Sequence, residues 1–392
     1  MPSLAILIAI STISPVAMNI YMPSMSGMVE TFDTTSGRVQ LTMSLYFLSI
    51  GIAQLVLGPL SDRLGRRPVI LGGMVMFVAG TILCLMAPTV EALIAARVLQ
   101  AAGGATGLVL GRAIVRDLYG RDQAASMIGY VTMGMSVGPM VAPAIGGLLD
   151  EQFGWSGGFY LVLVLGVVVT FAAVFALPET HHNRTAGGGV SGIVTSYKAI
   201  GAERLFWGYA LVSMFTSAIY FAILGGTPFI AAGVLDMTPP EIGFYFFFIA
   251  IGYMAGNFLS GRFAARIGIY RMILIGSVFP ALGVGALVLF LATGLLTPLT
   301  FFGPMVLIGL GNGLCLPSTI SGAVSVRPDL AGAASGLSGS LQIGFGAVAS
   351  AAVAWALSDT MYPDTVWPMA AVMVACVIAT TVFVVAVRLW EK

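Results

Sequence analysis

Long apolar runs broken by short polar turns fill the 392-residue chain from end to end. The first six occupy residues 4–22, 39–58, 69–88, 90–111, 123–148 and 157–177. A polar stretch from Pro178 to Arg204 follows, and six further runs occupy 205–232, 241–259, 272–293, 299–322, 332–357 and 367–387. A helix needs about 20 residues to cross a hydrocarbon core about 30 Å thick, and in lipid a helix satisfies its own backbone. Each run is long enough. The pattern predicts an all-α membrane protein with twelve transmembrane helices.

Composition sharpens this picture. The chain is 58% apolar and 8% charged, with mean hydropathy +1.00, whereas soluble domains carry about 25% charged residues. That excludes a soluble enzyme, a disordered chain and a nucleic-acid binder, since a net charge of +1 offers phosphates no basic field. Cys84, Cys315 and Cys376 lie in apolar runs at no metal-ligand spacing, and His181 and His182 read as solvated linker residues. No cleavable signal is expected, because the first positive charge, Arg38, follows the first run. Met1-Pro2-Ser3 leads almost directly into that run, which leaves room for a missing N-terminal tail.

Charge placement sets orientation. With the turn after the second run in the cytoplasm, 15 of the 17 Lys and Arg fall on that side, leaving Arg38 outside and Arg97 within a span. This positive-inside bias puts both termini in the cytoplasm. The chain also repeats: Leu60-Ser61-Asp62-Arg63 follows the second run and Leu259-Ser260-Gly261-Arg262 the eighth, each before a basic turn containing glycine. The expected organisation is a six-helix bundle over 1–177, a cytoplasmic linker over 178–204 and a second six-helix bundle over 205–392.

The first turn carries the strongest motif, Gly58-Pro59-Leu60-Ser61-Asp62-Arg63-Leu64-Gly65-Arg66-Arg67-Pro68. Gly58-Pro59 is expected to stop one helix and Gly65 to allow a tight reversal into the next. Asp62 can face a helix N-terminus or the Arg112 and Arg116 pair, which share one helix face at i,i+4, while Arg63, Arg66 and Arg67 hold the loop at an anionic leaflet. A charge-linked loop of this kind can latch one conformation and release in another. The motif resembles the signature loop of the major facilitator superfamily.

Further segments narrow the resemblance. Arg97-Val98-Leu99-Gln100 with Gly103-Gly104 resembles that superfamily's fourth-helix motif. Gly134, Gly138, Pro139, Pro143, Gly146 and Gly147 resemble its drug-antiporter motif in the fifth helix, where small residues allow close packing and prolines bend the helix. Tyr21-Met22-Pro23, Gln40-Leu41-Thr42, Arg112-Ala113-Ile114-Val115-Arg116-Asp117 and Leu177-Pro178-Glu179-Thr180 are similar to the bicyclomycin- and chloramphenicol-resistance (Bcr/CflA) group of drug/proton antiporters. The resemblance implies the major facilitator fold, two bundles rocking about a midplane site.

Two residues stand out within the spans. Arg97 is the one basic residue placed in the hydrocarbon region, at a cost of roughly 2.5–3.5 kcal/mol on insertion scales, so it should face a cavity or carbonyls. It serves either coupling and substrate binding or as a clamp on the fifth-span backbone. None of the 16 Asp and Glu falls inside a span, although a proton-coupled pump normally keeps a carboxylate there. The resemblance implies Asp immediately before the Tyr21-Met22-Pro23 segment's apolar residue; this chain has Asn19. Asparagine keeps the shape and hydrogen bonds but cannot titrate. Two readings follow: a deliberate Asp→Asn substitution mimicking the protonated state, or a variant that couples through Asp236 or Glu241. The first is the smaller edit and the one adopted.

Asn19, Met43, Tyr46, Tyr130, Met133 and Tyr220 are the candidate cavity residues, because Met and aromatics adapt to varied ligands. Asn257 and Asn312 are polar positions in the second half, candidates for bonding between helices. The expected function is export of small apolar or amphipathic drugs, such as phenicol antibiotics, by proton antiport from a bacterial cytoplasm across the inner membrane. Coupling would be disabled at Asn19. The alternative is a sugar or metabolite exporter or facilitator of the same fold. Expected partners are a small-molecule drug, protons and the lipid bilayer, in a monomer without nucleic acid, metal or cofactor. An enzyme is not expected, since no cluster of His or carboxylates sits within the spans.

Overall fold

The computed structural model describes residues 3–118, 121–180, 190–327, 330–357 and 365–391. Within these ranges, the side chains of Asp62, Arg112, Arg116, Tyr130 and Met133 lie outside what is described, so their expected roles stay with the sequence. The described residues are helical almost throughout. In the first half these are α1 (Leu4–Asn19), α2 (Met25–Thr31), α3 (Ser36–Leu64), α4 (Arg66–Leu85), α5 (Val90–Leu118), α6 (Arg121–Phe153) and α7 (Ser156–Ala176). Then come α8 (Val190–Gly201), α9 (Arg204–Gly233), α10 (Pro239–Tyr245), α11 (Phe247–Ile267), α12 (Ile269–Ala292), α13 (Pro298–Phe302), α14 (Met305–Ser325), α15 (Ala331–Ala356) and α16 (Trp367–Trp390).

Eleven spans among the described residues are long and apolar enough to cross a membrane, some built from two consecutive helices such as Pro239–Ala264. The remaining expected span, 123–148, falls on the 33-residue α6. Pro139 and Pro143 lie inside it, a place where lipid-embedded helices tolerate proline because neighbouring groups satisfy the freed carbonyls.

Three local expectations are corrected. Gly58-Pro59 does not stop a helix: α3 runs through to Leu64, and the Ser61 hydroxyl donates to the Gly58 carbonyl at 2.7 Å. The stop comes at Gly65, whose φ of 100° only glycine adopts readily. The first apolar run breaks after Asn19, passes a short 3-10 turn at Met22–Ser24 containing Pro23, and continues as α2. The linker, read as polar, contains α8. Its Ile193, Tyr197 and Ile200 fall at helical spacing. Ile200 is buried in a core with Phe206, Tyr209 and Val387, and Trp207 Nε1 donates to the Gly201 carbonyl at 2.7 Å.

The chain forms two compact units. The first comprises Met1–Thr34, Leu41–Val190 and Pro239–Phe244, and the second Thr35–Gln40, Ser191–Thr238 and Tyr245–Lys392. In the first, α1 packs against α5, α6 and α7, and α4 against α5 and α7. In the second, α9 packs against α14, α15 and α16, and α12 against α14 and α16. Substituting each helix of one set by its counterpart reproduces the other. For these helices the two sets share one pattern of neighbours.

Candidate functional site

Arg97 lies about two turns into α5 and is fully buried, at 0% exposure. Its guanidinium carbon sits 4.0 Å from the Tyr46 ring centroid, 4.3 Å from that of Tyr21 and 5.7 Å from that of Phe159. Nη1 donates to the Ala17 carbonyl at 3.0 Å and to Gln100 Oε1 at 2.6 Å. Desolvated cation–π contacts are worth up to about 2 kcal/mol each and a charged hydrogen bond about 1.5–3 kcal/mol, enough to offset the insertion cost. Nε and Nη2 are buried without a hydrogen-bond partner.

A relay fixes this arrangement. Thr81 Oγ1 donates to the Phe77 carbonyl at 2.8 Å, so it must accept from Gln100 Nε2 at 2.7 Å. That orients the Gln100 oxygen toward Arg97. The tyrosines are fastened in turn: the Tyr46 hydroxyl meets Ser14 Oγ at 2.9 Å, and the Tyr21 hydroxyl meets Thr42 Oγ1 at 3.1 Å. Phe159 packs on Tyr21 at 5.6 Å between centroids.

Arg97 thus bonds to the α1 backbone, and not to the fifth-span backbone that the clamp alternative named. The reason is geometric: Ala17 follows Pro15 in α1, and Gly107 on the same face of α5 lets the α1 backbone approach at Ile10. Asn19 ends α1 two residues from both Ala17 and Tyr21. It is buried, and its Nδ2 donates to the Pro15 carbonyl at 2.7 Å. Met43 is fully buried on α3, one turn from Tyr46. Tyr220 belongs to the second unit, half-buried beside Phe221. There Asn257 bonds within its own helix, to the Tyr253 carbonyl at 2.9 Å, and Asn312 is buried. No described carboxylate contacts Arg97, and Asp236 and Glu241 are exposed.

The antiporter-motif glycines form a packing face on α6. A Cβ on Gly138 would meet Thr12 and Val16 side chains at 3.0 Å, one on Gly134 would press on Ile8, and one on Gly146 would strike the Ile20 carbonyl. Gly147 instead faces the backbone of Pro239 and Pro240. Pro143 is buried where Gly243 packs on its carbonyl, and Pro139 is half-buried.

The second constellation is the turn between α3 and α4. Arg66 is buried; its Nε pairs with Asp117 Oδ2 at 2.9 Å and its Nη1 donates to Ser61 Oγ at 2.5 Å. Glu179, just past α7, accepts from the backbone N–H groups of Arg66 at 2.9 Å and Arg67 at 3.3 Å. A carboxylate at a helix N-terminus satisfies orphan donors and meets the positive dipole end. Arg67 Nη2 donates to the Val174 carbonyl at 2.9 Å, while Arg63 is exposed and a Cβ on Gly58 would meet nothing within 4 Å. Four helices are therefore joined at one turn. Sequence reasoning quoted Asp117 and Glu179 only as matching residues and gave the latch to Asp62. The signal available was an acid directly after Pro178, at a span's cytoplasmic end.

The repeat reproduces the turn, and among the described residues no carboxylate lies against its glycine. Gly268 has φ 89° and ψ 153°, close to the 100° and 156° of Gly65, yet nothing lies within 4 Å of its would-be Cβ. At Gly65 that atom would press on the Glu179 carboxyl. Gly268→Val is therefore expected to lose only the roughly 1–3 kcal/mol of backbone strain, and Gly65→Val more, because Glu179 must also leave. A thermal-unfolding comparison of the two variants reads the difference; equal losses would remove Glu179 from the account.

Among the described residues no three His, Cys, Asp or Glu side chains stand together as metal ligands. Compared with known proteins, the chain matches the Major Facilitator Superfamily over residues 7–351. It is 33% identical over 349 residues to multidrug resistance protein D of Escherichia coli, covering 88% of this chain and 87% of that protein. It is 29% identical to a chloramphenicol resistance protein of Pseudomonas aeruginosa, covering 94% and 86%. A solved bacterial homologue of the human lysosomal transporter Spinster superposes with a TM-score of 0.73 at 17% identity, covering 99% and 96%; at that identity the likeness concerns the fold.

Proposed function

The chain belongs to the major facilitator superfamily, and from that membership we propose that it is a secondary exporter of small apolar or amphipathic drugs. It would work by alternating access in a bacterial inner membrane. The observation that carries this reading is the pairing of a wholly buried Arg97, fastened to α1, with a turn latched by Asp117 and Glu179, in a chain resembling resistance proteins along most of its length. One device ties a potential ligand face to the bundle interior. The other gives the bundle a charge-held state that can be released.

In a proton antiporter, each charge moved is worth roughly 2.3 kcal/mol per 100 mV of membrane potential. The amide of Asn19 cannot take up that proton, so the coupling proton does not pass through the end of α1. Asp236 and Glu241 are exposed, where a proton is shared with bulk water rather than carried across. The chain as it stands binds drug and cycles without a proton at this position.

Resistance tests this reading in a coupled variant. Cells expressing Asn19→Asp should survive higher concentrations of neutral amphipathic antibiotics, phenicols included, than an empty-vector control, whereas the unaltered chain should only equilibrate them. Sensitivity of the Asn19→Asp cells equal to the control across such a panel would refute drug export. Orientation has its own test. Cysteines introduced within 178–204 should react only from the cytoplasm, and those within 149–156 only from outside, as the positive-inside bias requires. The reverse labelling would overturn the assignment.

A further inference from the structure

The second unit contains a cavity of about 920 Å³, at the upper end of the roughly 300–1,000 Å³ typical of small-molecule sites. Its walls come from the ends of five spans: the start of α9, the end of α11, the start of α12, the end of α14 and the residue after α16. Span ends lie at the membrane boundary, so a water-borne ligand can reach this space. The charge bias of the sequence assigns that end to the cytoplasm. In the first unit the Glu179 carboxylate lies over Gly65, whereas a Cβ on Gly268, which lines the cavity, would meet nothing within 4 Å.

Two charges of opposite sign line this cavity without an ion-pair partner among the described residues. Glu391 accepts from the hydroxyl of Tyr209, a side chain only 3% exposed. A hydroxyl fixes the carboxylate but leaves its charge and its other lone pairs free. Arg271, exposed in the first turn of α12, makes no ion pair or hydrogen bond with a described residue. Glu203, the third charge in the wall, is already met by Arg327 at 3.4 Å. Leu205, Ile267 and Val326 add apolar surface. We propose that this cavity binds a zwitterion with an apolar body, an α-amino acid such as phenylalanine. Its ammonium donates to Glu391, its carboxylate accepts from Arg271, and its side chain lies on the apolar wall. A ligand of one sign would leave one of the two charges unmet and face a like charge. The bound zwitterion ties the end of α16 to the start of α12. The proposal stands apart from drug export and does not depend on it.

The test measures equilibrium binding of three compounds to the purified full chain: phenylalanine, phenylalanine amide, which lacks the carboxylate, and 3-phenylpropanoate, which lacks the ammonium. Each analogue forfeits one charge-assisted contact, so each should bind about tenfold or more weakly than phenylalanine. Glu391→Gln should weaken phenylalanine about tenfold while leaving 3-phenylpropanoate within about twofold, because that compound has no ammonium to lose a partner. Arg271→Gln should weaken phenylalanine about tenfold while leaving phenylalanine amide within about twofold, for the converse reason. The unaffected analogue reports in each variant that the cavity is intact. Phenylalanine binding that is undetectable, or no tighter than that of both analogues, would overturn the proposal. So would phenylalanine binding that neither variant weakens, since the ligand would then sit elsewhere.

Discussion

Asn19→Asp is expected to turn pH-indifferent transport into transport that varies about tenfold or more between pH 6 and pH 8. The unaltered chain should vary by less than about twofold over the same interval. The reason lies in which groups can exchange a proton. A carboxamide donates and accepts hydrogen bonds but keeps its protons, whereas a carboxyl binds one and releases it. Position 19 lies two residues from Ala17, which takes a hydrogen bond from Arg97, and two from Tyr21, which lies under its guanidinium. A carboxylate placed there would form a charge pair with Arg97 when ionised and break it when protonated. The two protonation states would then favour different arrangements of α1 on α5, which is what coupling requires. Transport assayed in vesicles at fixed membrane potential checks this. A flat profile in the variant would mean that α1 and α5 do not respond to charge at position 19.

Glu179→Gln is expected to slow transport by about tenfold without preventing insertion. Glutamine retains one acceptor, so one of the two N–H groups at the start of α4 keeps a partner, but the charge and the second acceptor are lost. Hydrogen bonds to an ionised group are worth about 1.5–3 kcal/mol, so weakening the pair by about 1–2 kcal/mol shifts a two-state equilibrium roughly 5- to 30-fold away from the latched form. Asp117→Asn should act in the same direction through Arg66, which is buried beside it. Because both carboxylates act on the same turn, the double variant should fall well short of the product of the single effects. Full additivity would show two independent contacts rather than one latch.

The apolar runs located the membrane helices because length and polarity are properties of a local segment. The basic turns pointed to a repeat, and Gly65 and Gly268 within them take the same positive-φ conformation. Arg97 was legible as an oddity for the same reason: one guanidinium in an apolar run must find partners, and Gln100 stands one helical turn away. Its other partners were not legible as a set. Tyr21, Tyr46 and Phe159 come from the turn after α1, from α3 and from α7, and only packing decides which of the chain's aromatic residues meet a given cation. Glu179 was overlooked for a related reason. An acid 113 residues from Arg66 announces no contact with it. Helix α8 was hidden by the polarity of the linker, although its apolar positions keep helical spacing and dock Ile200 into a core.

The most direct measurement is counterflow in liposomes containing only the purified chain. Vesicles loaded with an unlabelled neutral phenicol are diluted into trace labelled compound, with no pH difference and no membrane potential. The account predicts transient accumulation of label above equilibrium, with nearly the same initial rate at pH 6 and pH 8. Absence of counterflow would contradict drug transport, and a rate that changes steeply with pH in the unaltered chain would contradict an uncoupled amide at position 19.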